Sequence, residues 1–188
     1  TVSDTAAAND IDATGAITLQ TGANNTLTTI AAGADVATTT GGINIFSDEM
    51  DLSGTLHAAA SLGTLKPNST ANQDIVLGVG ATDSTTALGL TGLEIQNIFT
   101  SGGVTFGAAN HGDVITITGA VTAANTANIT GGTISLFNLD NAITFNAAFD
   151  SSGRNVVVTS SDSAAGDGNI VFGAAGAITA SGATVTLN

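Results

Sequence analysis

The sequence predicts an all-β protein, a right-handed parallel β-helix (a β-solenoid), with a β-sandwich as the competing architecture. Three observations carry this. A short phrase of apolar, small polar and apolar residues closed by Gly or Asn recurs along the chain; helix-forming patterns are nearly missing; and 43% hydrophobic content is reached with only 4% aromatics. Period-2 alternation over three or four residues, followed by a turn residue, marks a very short strand. Strands that short cannot bury a face alone and have to stack on others. Seven Phe and no Trp or Tyr leave the core to Ile, Val, Leu and Ala in narrow layers. Sandwiches run to longer strands and commonly bury a Trp or Tyr.

The phrase first occurs at Ile17-Thr18-Leu19 and Ile43-Asn44-Ile45, then at Val104-Thr105-Phe106-Gly107 and Ile115-Thr116-Ile117. It returns at Ile134-Ser135-Leu136, Ile143-Thr144-Phe145-Asn146, Ile170-Val171-Phe172-Gly173 and Val185-Thr186-Leu187-Asn188. Further starts fall near residues 75, 88 and 156. The gaps are irregular, but two or three strands per coil give a coil of roughly 20–30 residues, the solenoid range. At ~4.8 Å between stacked strands, about seven or eight coils span about 35–40 Å. Pro67 after Gly63-Thr64-Leu65-Lys66 reads as the end of a strand. The single helical candidate is Leu90 to Ile98, with Leu90, Leu93 and Ile98 on one face, read as a brief excursion between strands. No linker divides the chain, so residues 1–188 are expected to form one domain, with 1–12 and 160–168 as loops or loose ends.

Composition narrows the partners. Charged residues make up 9%, against about a quarter in ordinary globular proteins. Thirty-one Thr, with many Ser, Asn and Gly, replace them and suit strands and tight turns. The net charge is −13, with Lys66 and Arg154 as the two cationic residues. Phosphate backbones and anionic membranes are bound by clustered Lys and Arg, so nucleic acid and lipid surfaces are excluded as expected partners. A basic partner, a divalent cation or a neutral sugar stays open. Cys is absent, which removes disulfides and thiolate chemistry. No apolar run approaches the ~20 residues of a membrane helix, and the start, Thr1-Val2-Ser3-Asp4, lacks the features of a signal peptide.

Between residues 42 and 121 the phrases follow a particular order. Ile43-Asn44-Ile45-Phe46-Ser47-Asp48-Glu49-Met50-Asp51-Leu52-Ser53-Gly54 is followed by Gly63-Thr64-Leu65-Lys66-Pro67 and Asp74-Ile75-Val76-Leu77-Gly78. Then come Leu90-Thr91-Gly92-Leu93-Glu94-Ile95-Gln96-Asn97-Ile98 and Gly112-Asp113-Val114-Ile115-Thr116-Ile117. This order resembles the β-strand repeats of filamentous-haemagglutinin-type exoproteins of Gram-negative bacteria, secreted by two-partner or autotransporter-like routes. Ala58-Ala59-Ala60-Ser61-Leu62 stands where that family has a glycine-rich link. The resemblance implies a parallel β-helix, an extracellular or outer-surface location, and a place in an adhesive or matrix-forming fibre. It implies no catalytic residues.

Candidate chemistry is sparse. His57 and His111 are the only histidines and lie far apart in sequence; no Gly-x-Ser-x-Gly occurs, and both read as structural, His111 in an exposed turn. Asp48, Glu49 and Asp51 are the densest acidic group. A glycosidase needs two carboxylates about 5–9.5 Å apart; in a strand Glu49 and Asp51 share a face and Asp48 takes the other, which favours a surface cluster. Asp167 and Asn169, in Gly166-Asp167-Gly168-Asn169-Ile170, are the candidate calcium ligands, in a motif that normally works in tandem and occurs once. Thr-x-Thr pairs such as Thr116/Thr118 read as stacking ladders before an ice-binding face. No cofactor is expected apart from possible calcium binding.

The expected function is therefore a non-enzymatic shaft of a secreted bacterial surface fibre, serving adhesion or a biofilm matrix. Its expected partners are adjoining repeats or further copies, with host or matrix glycans or proteins as external ones. A self-assembling subunit of a homopolymeric filament or sheath is the alternative, and a carbohydrate-active β-helix enzyme is a third reading.

Overall fold

Alternating burial, the physical signature of a one-sided strand, runs through almost every element of the computed structural model, which describes residues 1–3, 10–22, 24–68, 73–111, 113–162 and 168–188. In chain order the first strands are β1 (Ile11–Ala13), β2 (Ile17–Gln20), β3 (Leu27–Ile30), β4 (Asp35–Thr38), β5 (Ile43–Phe46), β6 (Glu49–Leu52) and β7 (Thr55–Ala58). Next come β8 (Gly63–Lys66), β9 (Asp74–Leu77), β10 (Ala87–Leu90), helix α1 (Gly92–Gln96), β11 (Ile98–Thr100), β12 (Val104–Gly107), β13 (Ile115–Ile117) and helix α2 (Ala123–Thr126). The last are β14 (Thr133–Leu139), β15 (Ile143–Phe145), β16 (Ala148–Asp150), β17 (Asn155–Ser161), β18 (Ile170–Phe172), β19 (Ala177–Thr179) and β20 (Val185–Leu187).

The protein is mostly β, built from parallel sheets that do not close into a barrel. One sheet has seven strands in the order β2-β5-β8-β12-β14-β17-β20, a second five in the order β10-β9-β13-β15-β18, and a third four in the order β1-β4-β7-β11. Two shorter pairs, β3-β6 and β16-β19, complete the set among the described residues. The chain visits the sheets in rotation, so each sheet collects strands in sequence order, with β10 as the exception.

Because every pairing is in register, like side chains stand above one another. Across the seven-stranded sheet one inward column runs Leu19, Ile45, Leu65, Phe106, Leu136, Val158, Leu187. The five-stranded sheet contributes Leu88, Ile75, Ile115, Ile143, Ile170 and a neighbouring column ending in Phe145 and Phe172, whose rings stack at 5.0 Å. The four-stranded sheet supplies Ile11, Val36, Leu56 and Ile98. These columns merge into a single continuous core, except at Phe172 and Leu187 of the last strands, which are exposed. Outward positions carry hydroxyl ladders instead, such as Thr64, Thr105, Ser135 and Thr116, Thr144.

Every phrase start read from the sequence lies within a strand, and the closing Asn146, Gly173 and Asn188 fall just beyond theirs. The loop expectation for 1–12 is corrected at its end, where Ile11 and Asp12 open β1 by pairing with Val36 and Ala37; near its start Val2 makes a single bridge to Ile30. Residues 4–9 lie outside the described residues. The expectation for 160–168 is corrected at its start, where β17 extends through Ser161 by pairing with Leu139; residues 163–167 are again outside the described set.

The excursion from Leu90 to Ile98 contains a true helical turn. Thr91 and Glu94 form a capping box: the Thr91 N–H and Oγ1 each donate to Glu94 Oε2 at 2.8 Å. The buried face is Gly92 and Ile95, so Leu93 points outward, 72% exposed. That corrects the expectation that Leu93 shares a face with Ile98: the start of the turn is set by the cap rather than by the apolar spacing. A second turn, α2, repeats the device one layer on, with Asn125 Oδ1 accepting from the Thr122 N–H and Oγ1. Glu94 Oε1 also accepts from the Leu52 N–H at 3.2 Å, tying α1 to β6. Glu94→Ala strands these donors and is expected to cost about 1–3 kcal/mol, with Glu94→Gln in between, as read by urea unfolding followed by circular dichroism.

Candidate functional site

The acidic residues of this chain are used chiefly as acceptors for backbone N–H groups where a turn breaks the strand ladder. Asp48 is fully buried and takes the Asn25 N–H at 2.8 Å and the Asn68 N–H at 2.9 Å, one from a neighbouring layer on each side. This corrects the expectation of a surface cluster at Asp48, Glu49 and Asp51. Glu49 and Asp51 do flank the inward Met50 on β6, but Asp48 precedes the strand and turns into the corner. Asp51 Oδ1 is engaged by the Ser53 N–H and hydroxyl.

Asp83, which no sequence pattern singled out, is a strongly perturbed carboxylate among the described residues. Burial pushes its pKa up to about 6, with Glu94 and Glu49 adding to the rise and two backbone N–H donors opposing it. Two further carboxylates near a carboxyl group poised towards neutrality is an arrangement that can serve acid–base chemistry. Here the oxygens are already committed. Asp83 Oδ1 holds the Gly89 N–H at 2.8 Å and Oδ2 the Met50 N–H at 3.0 Å, while Glu94 is bonded through both oxygens. The group fastens the segment between β9 and β10 to β6.

A polar column fills the corner between the seven-stranded and five-stranded sheets. Gln73 Nε2 donates to Asn25 Oδ1 and the Thr85 carbonyl, and the Gln73 N–H donates to Asp113 Oδ2. Asn138 Nδ2 donates to the carbonyls of Asp113 and Ala142. His111 lies in the same corner, its carbonyl accepting from the Leu139 N–H. The expectation that His111 occupies an exposed turn is corrected: the residue is 6% exposed. Burial lowers its pKa to about 4; Lys66 lowers it further and Asp113 opposes. Gln73 Oε1, His111 Nε2 and Asn138 Oδ1 are buried without a hydrogen-bond partner among the described residues. The sequence signal for this corner was weak, since Asn138 simply continues the alternation of Ile134 and Leu136 with a polar residue inside.

His57 is the opposite case, standing outward on β7 and stacked on Phe99 of β11 at 4.5 Å between ring centres, with Asp35 Oδ1 3.9 Å from its Nε2. A shallow recess of about 400 Å³ adjoins the pair, rimmed by Thr38, Ser101 and Thr130. The two histidines thus sit in different parts of the structure, one inward and one outward. Both cations are drawn into local contacts: Lys66 Nζ lies 5.1 Å from the centre of the Phe46 ring, and Arg154 Nε donates to the Ile129 carbonyl at 2.7 Å. Burial lowers the Lys66 pKa.

Of the two candidate calcium ligands, Asp167 lies outside the described residues. Asn169 precedes β18, its carbonyl accepting from the Ile143 N–H at 2.8 Å. No group of three or more His, Asp or Glu side chains able to hold a metal ion occurs among the described residues. No helix among them is long and apolar enough to cross a membrane. No protein-family model, curated protein or solved structure matches the chain.

Proposed function

We propose that this chain is a β-solenoid segment, a right-handed parallel β-helix, in the shaft of a secreted bacterial surface fibre, with a structural and adhesive role and no catalysis. The observation that supports it best is the in-register parallel stacking of the seven-stranded sheet in chain order, Ile17 to Leu187, with apolar columns inside and hydroxyl ladders outside. Sandwiches pair their strands antiparallel; stacking in sequence order suits a body that lengthens by adding coils. The consumption of carboxylates and cations in local bonds accords with a structural role, and the phrase order from 42 to 121 supplies the likeness to filamentous-haemagglutinin-type exoproteins.

Immunogold electron microscopy on intact cells of the source organism tests this reading. Antibody to the chain is expected to decorate threads at the outer surface; label confined to permeabilised cells would overturn it. The same threads, sheared and denatured, separate the fibre-segment reading from the polymer-subunit alternative. A band far longer than this chain supports the former, and a ladder-free band of its own size supports the latter.

A further inference from the structure

The three orphaned atoms of the polar corner, Gln73 Oε1, His111 Nε2 and Asn138 Oδ1, belong to residues that are 3%, 6% and 0% exposed. They stand in three successive layers. Gln73 lies between β8 and β9, His111 between β12 and β13, and Asn138 on β14 ahead of β15. β8-β12-β14 and β9-β13-β15 are runs of neighbours in their two sheets, so the three residues follow one another along one corner. Asp113 draws the outer two together: its Oδ2 accepts from the Gln73 N–H at 2.8 Å and its carbonyl from Asn138 Nδ2 at 3.3 Å.

The surroundings fix the chemistry of each atom. Gln73 Nε2 spends both hydrogens on oxygen, Asn25 Oδ1 at 3.2 Å and the Thr85 carbonyl at 3.0 Å. Asn138 Nδ2 spends its own on the carbonyls of Asp113 and Ala142, at 3.3 and 3.1 Å. Neither amide can be turned over without setting oxygen against oxygen, so both orphaned oxygens are true acceptors. His111, kept neutral by burial, presents at Nε2 either one N–H or one lone pair. The group that completes the corner has to donate to two amide oxygens and to meet an imidazole nitrogen of either kind.

Water, with two hydrogens and two lone pairs, satisfies all three. A metal ion is served poorly, because no group of three or more His, Asp or Glu side chains gathers among the described residues, and the charge of Lys66 reaches His111. The spacing fits as well. Stacked strands lie about 4.8 Å apart, too far for a direct bond between like positions of adjacent layers. A water making hydrogen bonds of about 2.8 Å at a tetrahedral angle spans about 4.6 Å.

We infer that this corner is a built hydration site, in which internal water donates to Gln73 Oε1 and Asn138 Oδ1, bonds to His111 Nε2, and so joins three layers. Buried waters typically hold about three such bonds to groups that the chain leaves unsatisfied. The inference concerns the corner alone and does not rest on the fibre reading.

Water-selective NOE and ROE spectra of the ¹³C-labelled chain test it. The Cε1 and Cδ2 protons of His111 flank Nε2 and do not exchange with solvent during the measurement, so a cross-peak with water reports a molecule in contact. The expected result is cross-peaks of opposite sign in the two spectra at His111, the mark of a water that stays longer than the protein takes to tumble. His57, outward on β7, is the control and should show only weak signals of like sign from short-lived surface water. Asn138→Leu, which removes one acceptor, should weaken the His111 cross-peaks severalfold. Their absence in the unaltered chain overturns the proposal, and so does full strength in Asn138→Leu. A high-resolution crystal structure with a metal ion, or donors of the chain itself, on Gln73 Oε1 and Asn138 Oδ1 overturns it equally.

Discussion

Replacing Phe106 by alanine is expected to lower the unfolding free energy by about 3–5 kcal/mol, the range for emptying a fully enclosed aromatic site. Phe106 is 0% exposed and pairs in register with Leu65 on one side and Leu136 on the other, so its ring fills the middle of the longest inward column. The backbone there has little room to collapse into the space. Gly107 follows at φ +86°, with the Phe137 carbonyl oxygen 2.1 Å from where a Cβ would be. The neighbouring outward residue is the control: Thr105→Ala removes one rung of a hydroxyl ladder and should cost no more than ~0.5 kcal/mol. Urea titration by circular dichroism reads both, and equal midpoints for the two variants would contradict the inward column as the source of stability.

The second large effect is a pair of opposed acid responses. His111 is held neutral in the fold, its pKa down at about 4 from an ordinary 6.5, while the unfolded chain takes up its proton at the ordinary value. Between these values the unfolded state binds more protons. The contribution of neutral His111 is therefore complete above pH 6.5 and is lost as pH falls towards 4, by roughly 3 kcal/mol at about 1.4 kcal/mol per pH unit. Asp83 runs the other way. Its folded pKa is raised from 3.8 to about 6, so a strain present at neutral pH is relieved as pH falls through that window. Asp74, raised by its burial, adds in the same direction as Asp83. The intact protein should consequently show a shallow stability profile from pH 7 to 4. His111→Asn should turn the slope so that acid stabilises, and Asp83→Asn should steepen the acid loss. Parallel profiles for all three proteins would refute the assignment.

The strands that the sequence revealed are those whose inward residues are large and whose turn carries Gly or Asn, such as Ile43 to Phe46 and Val104 to Gly107. The strands it hid have small or polar residues in half their positions. β4 reads Asp-Val-Ala-Thr and β7 Thr-Leu-His-Ala, and each becomes a strand because a parallel edge with Val36 or Leu56 in register awaits it. Helix α2 was hidden for a related reason: Ala123 to Thr126 has no apolar period, and Asn125 replaces the Glu that makes the cap of α1 conspicuous. The chemistry was harder still to read. Whether a carboxylate is solvated or buried against two N–H groups depends on which layer lies above it, and Asp48 and Asp83 have no local pattern that reports this. His111 was misplaced because its polar neighbours, Asn110 and Asp113, resemble an exposed turn. In the structure one of them, Asp113, is part of the buried corner that encloses it.

β10 breaks the rotation that the other strands obey. After β9 the chain doubles back through Asp83, adds β10 to the near side of the same sheet and packs it against β6. Parallel strands that pair only with their immediate neighbours in a sheet can loosen one after another. The doubled-back segment removes that option midway, since β6, β9, β10 and α1 are joined by Asp83 and Glu94 and have to separate together. On partial unfolding, β6, β9, β10 and α1 should therefore open as one unit, a clamp that keeps the strands before it and the strands after it from loosening as one.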